Sequence, residues 1–295
     1  MSRADSLLEC EDCLEPADAF ALVGDETRLG ILEALWRLDE PARFSEVREA
    51  VGVRDSAQFN YHLGKLTPQF VRKTDAGYEL PTAGERVVQA VFAGSFTEHP
   101  RREIGIEAPC TQCGEPLAAT YEDEMLAIEC PACGHGHGEY PFPPGGLHDR
   151  SDEEVLQAFD QRVRHLHCLA KDGVCPECNG RMETTIEGGG ECCVGAGVRA
   201  THTCRQCSHE LCSAIGLALL DQAAVVGFYA DLGVDLSDRP YWRLPWCVDD
   251  GPVTVLDEEP WRLRVDVTHE GSTLAVTVDG DLNIVETERV APASG

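Results

Sequence analysis

Four Cys-x-x-Cys knuckles in two matched pairs constrain this chain more than any other feature. Cys110 and Cys113 pair with Cys130 and Cys133, and Cys175 and Cys178 pair with Cys204 and Cys207. Two thiolates three positions apart can turn back onto one ion, and two such turns supply the four sulfurs that tetrahedral zinc prefers. Gly follows Cys113 and Cys133, and Asn-Gly follows Cys178. Those residues readily take the left-handed backbone such a turn needs. The gaps of 16 and 25 residues between paired knuckles suit one or two β-hairpins apiece. The pattern predicts two structural zinc ions per chain, each closing a four-cysteine ribbon.

Other cysteine chemistries fit less well. A disulfide framework belongs to exported chains, and this one opens Met-Ser-Arg-Ala-Asp with no apolar signal region. The expected compartment is therefore the cytoplasm. A redox Cys-x-x-Cys needs a βαβ context, and none is visible around any knuckle. Cys10 and Cys13 form a fifth knuckle without a partner pair, and Cys192-Cys193 lies in a Gly-rich loop inside the second ribbon, where either cysteine can serve as a spare ligand. Cys168, Cys212 and Cys247 read as small buried hydrophobes. His135 and His137, just past Cys133, read as part of a solvated Gly-rich loop.

Length and charge bound the rest. At 295 residues the chain has room for two or three domains. Its 24 basic and 52 acidic residues give a net charge of −28, spread along the whole sequence. Lysine occurs only at Lys65, Lys73 and Lys171. Dispersed carboxylates with scarce lysine suit a cytoplasm of very high salt, where charges are screened over a few ångströms. The longest apolar stretch, 217–230, is interrupted by Asp221 and Gln222, so no membrane span is expected.

Residues 14–98 read as a compact helical unit. Leu29, Leu32 and Trp36 recur at helical spacing with Leu35 beside them, after the start signals Asp25, Glu26 and Thr27. A short helix capped by Ser45 and stopped near Gly52 follows. Another runs from Asp55 to Leu66 with Phe59, Leu63 and Leu66 inward. Two short helices joined by a Gly-containing turn form a helix-turn-helix. Residues 70–80 read as strand, Asp-Ala-Gly turn, strand, and Thr82 caps a last helix over 83–92.

The string Asp25-Glu-Thr-Arg-Leu-x-Ile-Leu, the helix ending Tyr61-His62-Leu63-x-Lys65-Leu66 and the hairpin after it resemble the ArsR-type winged helix-turn-helix repressors. The segment Val53-Arg-Asp-Ser-Ala-Gln-Phe-Asn-Tyr-His-Leu-Gly-Lys-Leu66 is similar to a group of halophilic-archaeal regulators. Their reader domain is followed by cysteine-rich ribbons and a Pro-Phe-Pro-Pro-Gly-Gly segment, here Pro141 to Gly146. With Leu-Pro-Trp-Cys at 244–247, the likeness covers most of the chain. Metal-sensing repressors carry cysteines in or before the reader helix, and 45–66 has none. The resemblance therefore implies double-stranded DNA as partner, a homodimer through 18–36 and 83–92, a pseudo-palindromic target, and structural rather than sensory metal.

Local charge agrees with a reader. Residues 43–73 hold six basic and three acidic side chains, a net +3, which leaves −31 on the remainder. Ser56, Gln58, Asn60, Tyr61 and Lys65 face outward between the inward Phe59 and Leu63, and amide and hydroxyl groups can read base edges. Arg54 is a further candidate DNA contact, and Arg72 and Lys73 on the hairpin suit phosphates or the adjacent minor groove.

The rest divides into a first ribbon (105–145), a helical connector (146–172), a second ribbon (173–213) and a C-terminal region (214–291). Ser151-Asp-Glu-Glu154 is a capping box that opens a helix reaching about Ala170. The C-terminal region reads as an apolar helix over 214–232 and strands over 241–248, 261–268, 273–278 and 283–290. The expected fold class is thus α+β and multidomain: a winged helix-turn-helix, two four-cysteine zinc ribbons, and a helix with an antiparallel sheet. No nucleophile elbow, metalloprotease helix or phosphate loop occurs, and four cysteines close a zinc site to substrate. The expected function is a non-enzymatic transcription regulator. The alternative is an adaptor whose ribbons and winged helix dock transcription machinery or another protein without touching DNA.

Overall fold

The computed structural model describes residues 14–189 and 197–290, so Cys10, Cys13, Cys192 and Cys193 lie outside the described residues. The chain forms two compact units, one ending at Thr97 and the other beginning at Glu98.

The first unit contains helices α1 (Pro16–Val23), α2 (Glu26–Arg37), α3 (Phe44–Val51) and α4 (Ser56–Leu66), a hairpin of β1 (Arg72–Lys73) and β2 (Tyr78–Glu79), and α5 (Thr82–Ala93). Asp25 caps α2 by accepting from the Arg28 amide at 3.1 Å. Asp55 caps α4 by accepting from Ala57 at 2.7 Å and Gln58 at 3.2 Å. Both caps satisfy amides that a helix start leaves without partners. Helix α3 is capped at Arg43, two residues earlier than expected. Its first turn is closed by the Glu46 carboxylate on the Arg43 amide at 2.7 Å, not by Ser45. Gly52 stops it in the left-handed conformation, at φ 75°. Likewise Pro81 rather than Thr82 occupies the cap position of α5.

Ile31, Leu32 and Leu35 of α2 pack with Val47, Phe59, Leu63, Leu66 and Val88 into one core. Trp36, expected with that set, lies on the flank instead. It is 42% exposed, with its ring 6.4 Å from that of Phe92. The hairpin strands are shorter than 70–80 implied, and Ala42 adds a third rung by pairing with Tyr78.

Among the described residues, the second unit contains two antiparallel sheets and a β-meander together with three α-helices. β3 (Arg102–Pro109), β4 (Pro116–Glu122), β5 (Met125–Glu129) and β6 (Gly136–Pro141) form a four-stranded sheet in chain order. Helix α6 (Asp152–Lys171) follows, opened by the expected capping box between Ser151 and Glu154. β7 (Met182–Gly188), β8 (Val198–Cys204) and β9 (Glu210–Ala214) make a three-stranded sheet. After α7 (Ala223–Asp231) and α8 (Pro245–Val248), strands β10 (Val253–Glu258), β11 (Trp261–His269), β12 (Ser272–Asp279) and β13 (Ile284–Val290) form the meander. One apolar core runs through all of it, from Ile104 and Tyr140 through Val155, Phe159 and Val163 of α6 to Trp246, Leu263 and Val276. The segments divided above as ribbons, connector and C-terminal region share that core.

Two C-terminal expectations are corrected. The run 214–232 is not one helix. Ala214 ends β9, Ile215–Leu219 is a 3-10 turn, and α7 starts only at Ala223. The segment 241–248 is not a strand but a 3-10 turn, Tyr241–Arg243, followed by α8 with Pro245 in its first turn. The first part of the run, 214–220, and most of 241–248 are buried, so there they lack the polar positions from which a period is read. They also pack on each other. A Cβ on Gly216 would lie 1.6 Å from the Trp246 carbonyl oxygen, a backbone approach only glycine permits.

A buried ion pair fixes the connection between them. Arg164 donates to Asp160 at 2.8 Å and to the carbonyls of Leu236 and Arg239, while Asp160 accepts from the Tyr241 amide at 2.7 Å. Burial pushes the Asp160 carboxyl above its usual range, and Arg164 and the Tyr241 amide pull against that. Of the three cysteines read as small hydrophobes, Cys247 is buried, and Cys168 and Cys212 are half-buried.

Two glycine substitutions test the crowding. Gly216→Ala must displace α8 and is expected to destabilise the second unit by at least about 1–3 kcal/mol, the usual cost of overpacking. Gly227→Ala, with open space around its Cβ position inside α7, is expected to stabilise by up to about 1 kcal/mol through helix propensity. Denaturant unfolding of both variants checks the pair of signs.

Candidate metal centres

All four knuckles fold alike because each is a tight turn closed by the same two backbone bonds. The first cysteine's amide donates to the carbonyl five residues on, and its carbonyl accepts from the amide four residues on. These bonds measure 2.8 and 2.9 Å at Cys110, 2.9 and 2.8 Å at Cys130, 2.8 and 2.9 Å at Cys175, and 2.9 and 3.0 Å at Cys204. The turn requires a left-handed residue after its second cysteine. Gly114 and Gly134 supply it at φ 79° and 74°, Asn179 at 58° and Ser208 at 60°. Ser208 is the one position of the four without a sequence signal.

The strands decide which knuckles meet. Cys110 and Cys113 occupy the β3–β4 turn, and Cys130 and Cys133 the β5–β6 turn. In a meander these turns fall at the same end of the sheet. Cys175 and Cys178 precede β7, and Cys204 and Cys207 join β8 to β9, which brings the second set together in the same way. Within each set, all four sulfurs lie within 4.8 Å of one another. The predicted ligands are therefore assembled as predicted, and these are the two such clusters among the described residues.

Their spacing suits a metal rather than disulfides. Cys110 to Cys133 is 3.7 Å and Cys113 to Cys130 is 3.5 Å. In the second set, Cys175 to Cys207 is 3.7 Å, Cys178 to Cys204 is 3.6 Å and Cys178 to Cys207 is 3.4 Å. A disulfide needs about 2.05 Å, whereas a tetrahedron of sulfurs each about 2.3 Å from a central ion has an edge of about 3.8 Å. Amides of Gln112, Gly180 and Gln206 point at Cys110, Cys178 and Cys204, each at 3.4 Å, and so favour thiolate. At Cys204 amide donation from Cys207 and Gln206 outweighs desolvation and draws the thiol down to about 6. At Cys130 desolvation opposes, but the amides of Cys133 and Ala132 and the thiols of Cys113 and Cys133 bring it to about 7. At Cys113 and Cys178 amide donation is outweighed by sulfur contacts, which push both up to about 12. Cys110, Cys130, Cys175 and Cys204 are buried, while Cys113, Cys133 and Cys207 are exposed. Each cluster thus straddles the boundary between core and solvent.

The two histidines read as loop residues are not solvated. His137 lies in β6 and is 1% exposed, and the His135 side chain is 9% exposed beside the first cluster. His135 Nε2 lies 3.1 Å from Asp249 Oδ1, which also accepts from the Thr111 hydroxyl at 2.9 Å. Neither Asp249 nor Thr111 was singled out from the sequence. Asp249 is more than a hundred residues from either knuckle, so only the fold brings them together.

In the first unit the other predicted residues lie on one helix and one hairpin. Ser56, Gln58, Asn60, Tyr61 and Lys65 are exposed on α4, Arg54 is exposed just before it, and Arg72 and Lys73 are exposed on β1. The Lys65 ammonium sits over the Tyr61 ring, 5.6 Å from its centre. Arg72 is paired with Glu79 across the hairpin at 3.1 Å.

Fold and clusters together define a two-unit α+β protein with a pair of tetracysteine centres able to hold metal ions. Residues 107–284 match a domain of unknown function, DUF7351. That is more than half of the chain, and the protein belongs to this family. Residues 16–91 match a second domain of unknown function, DUF7347. Nothing among curated proteins or solved structures matches the chain.

The centres are expected to carry two ions per chain. Cys130→Ser is expected to lose one ion and keep the other, with the helical content of the first unit unchanged. Elemental analysis of chelator-free protein, paired with circular dichroism, checks both.

Proposed function

We propose that the protein is a DNA-binding transcription regulator. In this reading the first unit is a winged helix-turn-helix of the ArsR type and each tetracysteine cluster is a ribbon closed by structural zinc. The observation that carries the reading is the outer face of α4. Five side chains able to contact bases stand exposed on a helix whose other face is anchored by Phe59, Leu63 and Leu66. Such a helix fits the major groove. Gln58 and Asn60 suit adenine edges, and Lys73 on the hairpin suits a phosphate. Arg72 is partly committed to Glu79, which leaves Lys73 as the stronger contact.

Zinc suits both clusters because a d¹⁰ ion accepts four thiolates in tetrahedral geometry without preference for anything else. A closed shell of four cysteines leaves no position for substrate, in keeping with a non-enzymatic role.

The same reading makes the protein a homodimer. Phe20 on α1 is 75% exposed, Phe92 on α5 46% and Phe96 beyond it 77%. A second copy covering them would place two α4 helices over successive grooves of a pseudo-palindrome. A monomeric mass by light scattering in molar salt, with and without DNA, would count against this arrangement.

The charge of the chain sets the decisive test. With +3 over residues 43–73 and −31 elsewhere, long-range repulsion from DNA opposes docking at low salt. Added salt screens that repulsion, whereas ordinary protein–DNA affinity falls steeply as salt displaces phosphate contacts. Full-length protein on a selected operator is expected to show a flat or rising affinity with salt while circular dichroism reports an intact fold. Asn60→Ala is expected to relax sequence preference by about 1–3 kcal/mol, and Lys73→Ala to weaken all sites alike. Folded protein that binds no duplex at any salt would favour the adaptor reading instead.

A further inference from the structure

Asp249 stands at the C-cap of α8, its backbone amide bonded to the Pro245 carbonyl at 2.9 Å. Its side chain leaves the core and reaches the first tetracysteine centre. There one oxygen, Oδ1, accepts from the Thr111 hydroxyl at 2.9 Å and meets His135 Nε2 at 3.1 Å. Thr111 lies inside one knuckle, between Cys110 and Cys113, and His135 lies two residues past Cys133 in the other. A single carboxylate therefore grips both halves of the centre. The site is well screened from water, with 21% of the Asp249 side chain and 9% of His135 exposed. The neighbouring residue reaches the other sheet, since Asp250 accepts from the Gly197 amide, which leads into β8.

The knuckle turns alone do not set the distance between the two sulfur pairs. Each turn fixes its own two sulfurs, and the relative position of the turns depends on what spans them. Residues bonded to both turns hold the four sulfurs at metal-binding spacing before an ion arrives, which raises affinity by removing reorganisation on binding. Among the described residues, Asp249 is shown with side-chain bonds into both turns of the first centre. The second centre has no comparable carboxylate clamp among its described hydrogen bonds.

We propose that Asp249 is a positioning residue of the first metal centre, clamping its two knuckles through Thr111 and His135 so that the four sulfurs are held ready for an ion. This rests on reading the cluster as a metal centre. Groups that orient a metal's ligands typically carry about 10–100-fold in affinity, and Asp249 acts on the two turns that bear the ligands.

The test uses full-length protein loaded with ¹¹³Cd, whose two thiolate resonances report the centres separately, the first assigned by its loss in Cys113→Ser. Chelator titration then gives each affinity. Asp249→Ala is expected to shift the first resonance and lower that affinity about 10–100-fold, with the second centre unchanged. Asp249→Asn, which keeps shape but weakens acceptance, is expected to fall between. In a Thr111→Val/His135→Ala background, Asp249→Ala is expected to add less than about twofold, because its partners are already gone. The proposal is overturned if folded Asp249→Ala holds the first ion as tightly as the parent, if both centres weaken alike, or if the full loss persists in the double-variant background. Failure of both Asp249 variants to fold with ions present would also overturn it, making the residue a determinant of the whole unit. A parent chain without thiolate ¹¹³Cd resonances would overturn the metal centre itself.

Discussion

The second unit depends on one constraint: four thiolates, two from each of two turns, must share a volume smaller than their mutual repulsion would allow. Backbone amides favour the charged form at Cys130 and Cys204, while the crowded sulfurs of the same clusters hold protons at Cys113 and Cys178. Four such charges within 4.8 Å are tolerable only around a cation or with protons shared among them. A divalent ion would resolve the conflict and convert its binding free energy into folding free energy. The burial pattern shows where that energy acts. The buried sulfurs of Cys110, Cys130, Cys175 and Cys204 continue the apolar core, and the outer ones close it against solvent.

Helix α6 organises what lies between the two centres. Phe159 meets the rings of Tyr140, Phe142, Tyr241 and Trp242 at 6.0–6.5 Å, so one side chain joins the first sheet to the 241–248 segment. One turn further along, the Asp160–Arg164 pair ties down the chain from Leu236 to Tyr241. A buried pair of this kind is weak evidence for net stability, because desolvation offsets most of the attraction. Its effect is on conformation. It selects one path for a loop that α8 must follow to pack on Gly216 and to present Asp249.

What the sequence revealed follows from the range of the physics. Knuckles, caps and hairpins are local, so the eight clustered cysteines, the Ser151 capping box and the exposed stripe of α4 were legible from neighbouring residues. In the last meander β11 was legible because buried and wet positions alternate along it, whereas β12, buried on both faces, and β13, exposed on both, were legible from the Gly-containing turns at 270–271 and 279–281. Legibility failed where burial is complete. The run from Ala214 to Leu220 and the segment 241–248 show no polar face, and their conformation is set by backbone contact between them. It failed again where partners are remote, as with Asp249, and where environment changes a side chain's meaning. His135 and His137 sit among glycines in sequence but against protein in the fold. Trp36 has helical spacing with the core yet lies on the flank beside Phe92.

The central claim is that both tetracysteine clusters are metal centres with nothing but sulfur around the ion. X-ray absorption at the zinc edge of protein purified without chelator tests it most directly. The account predicts a shell of four sulfurs at about 2.3 Å, with two equivalents of zinc per chain. A shell containing nitrogen or oxygen, or protein that folds with no tightly bound metal, would contradict it.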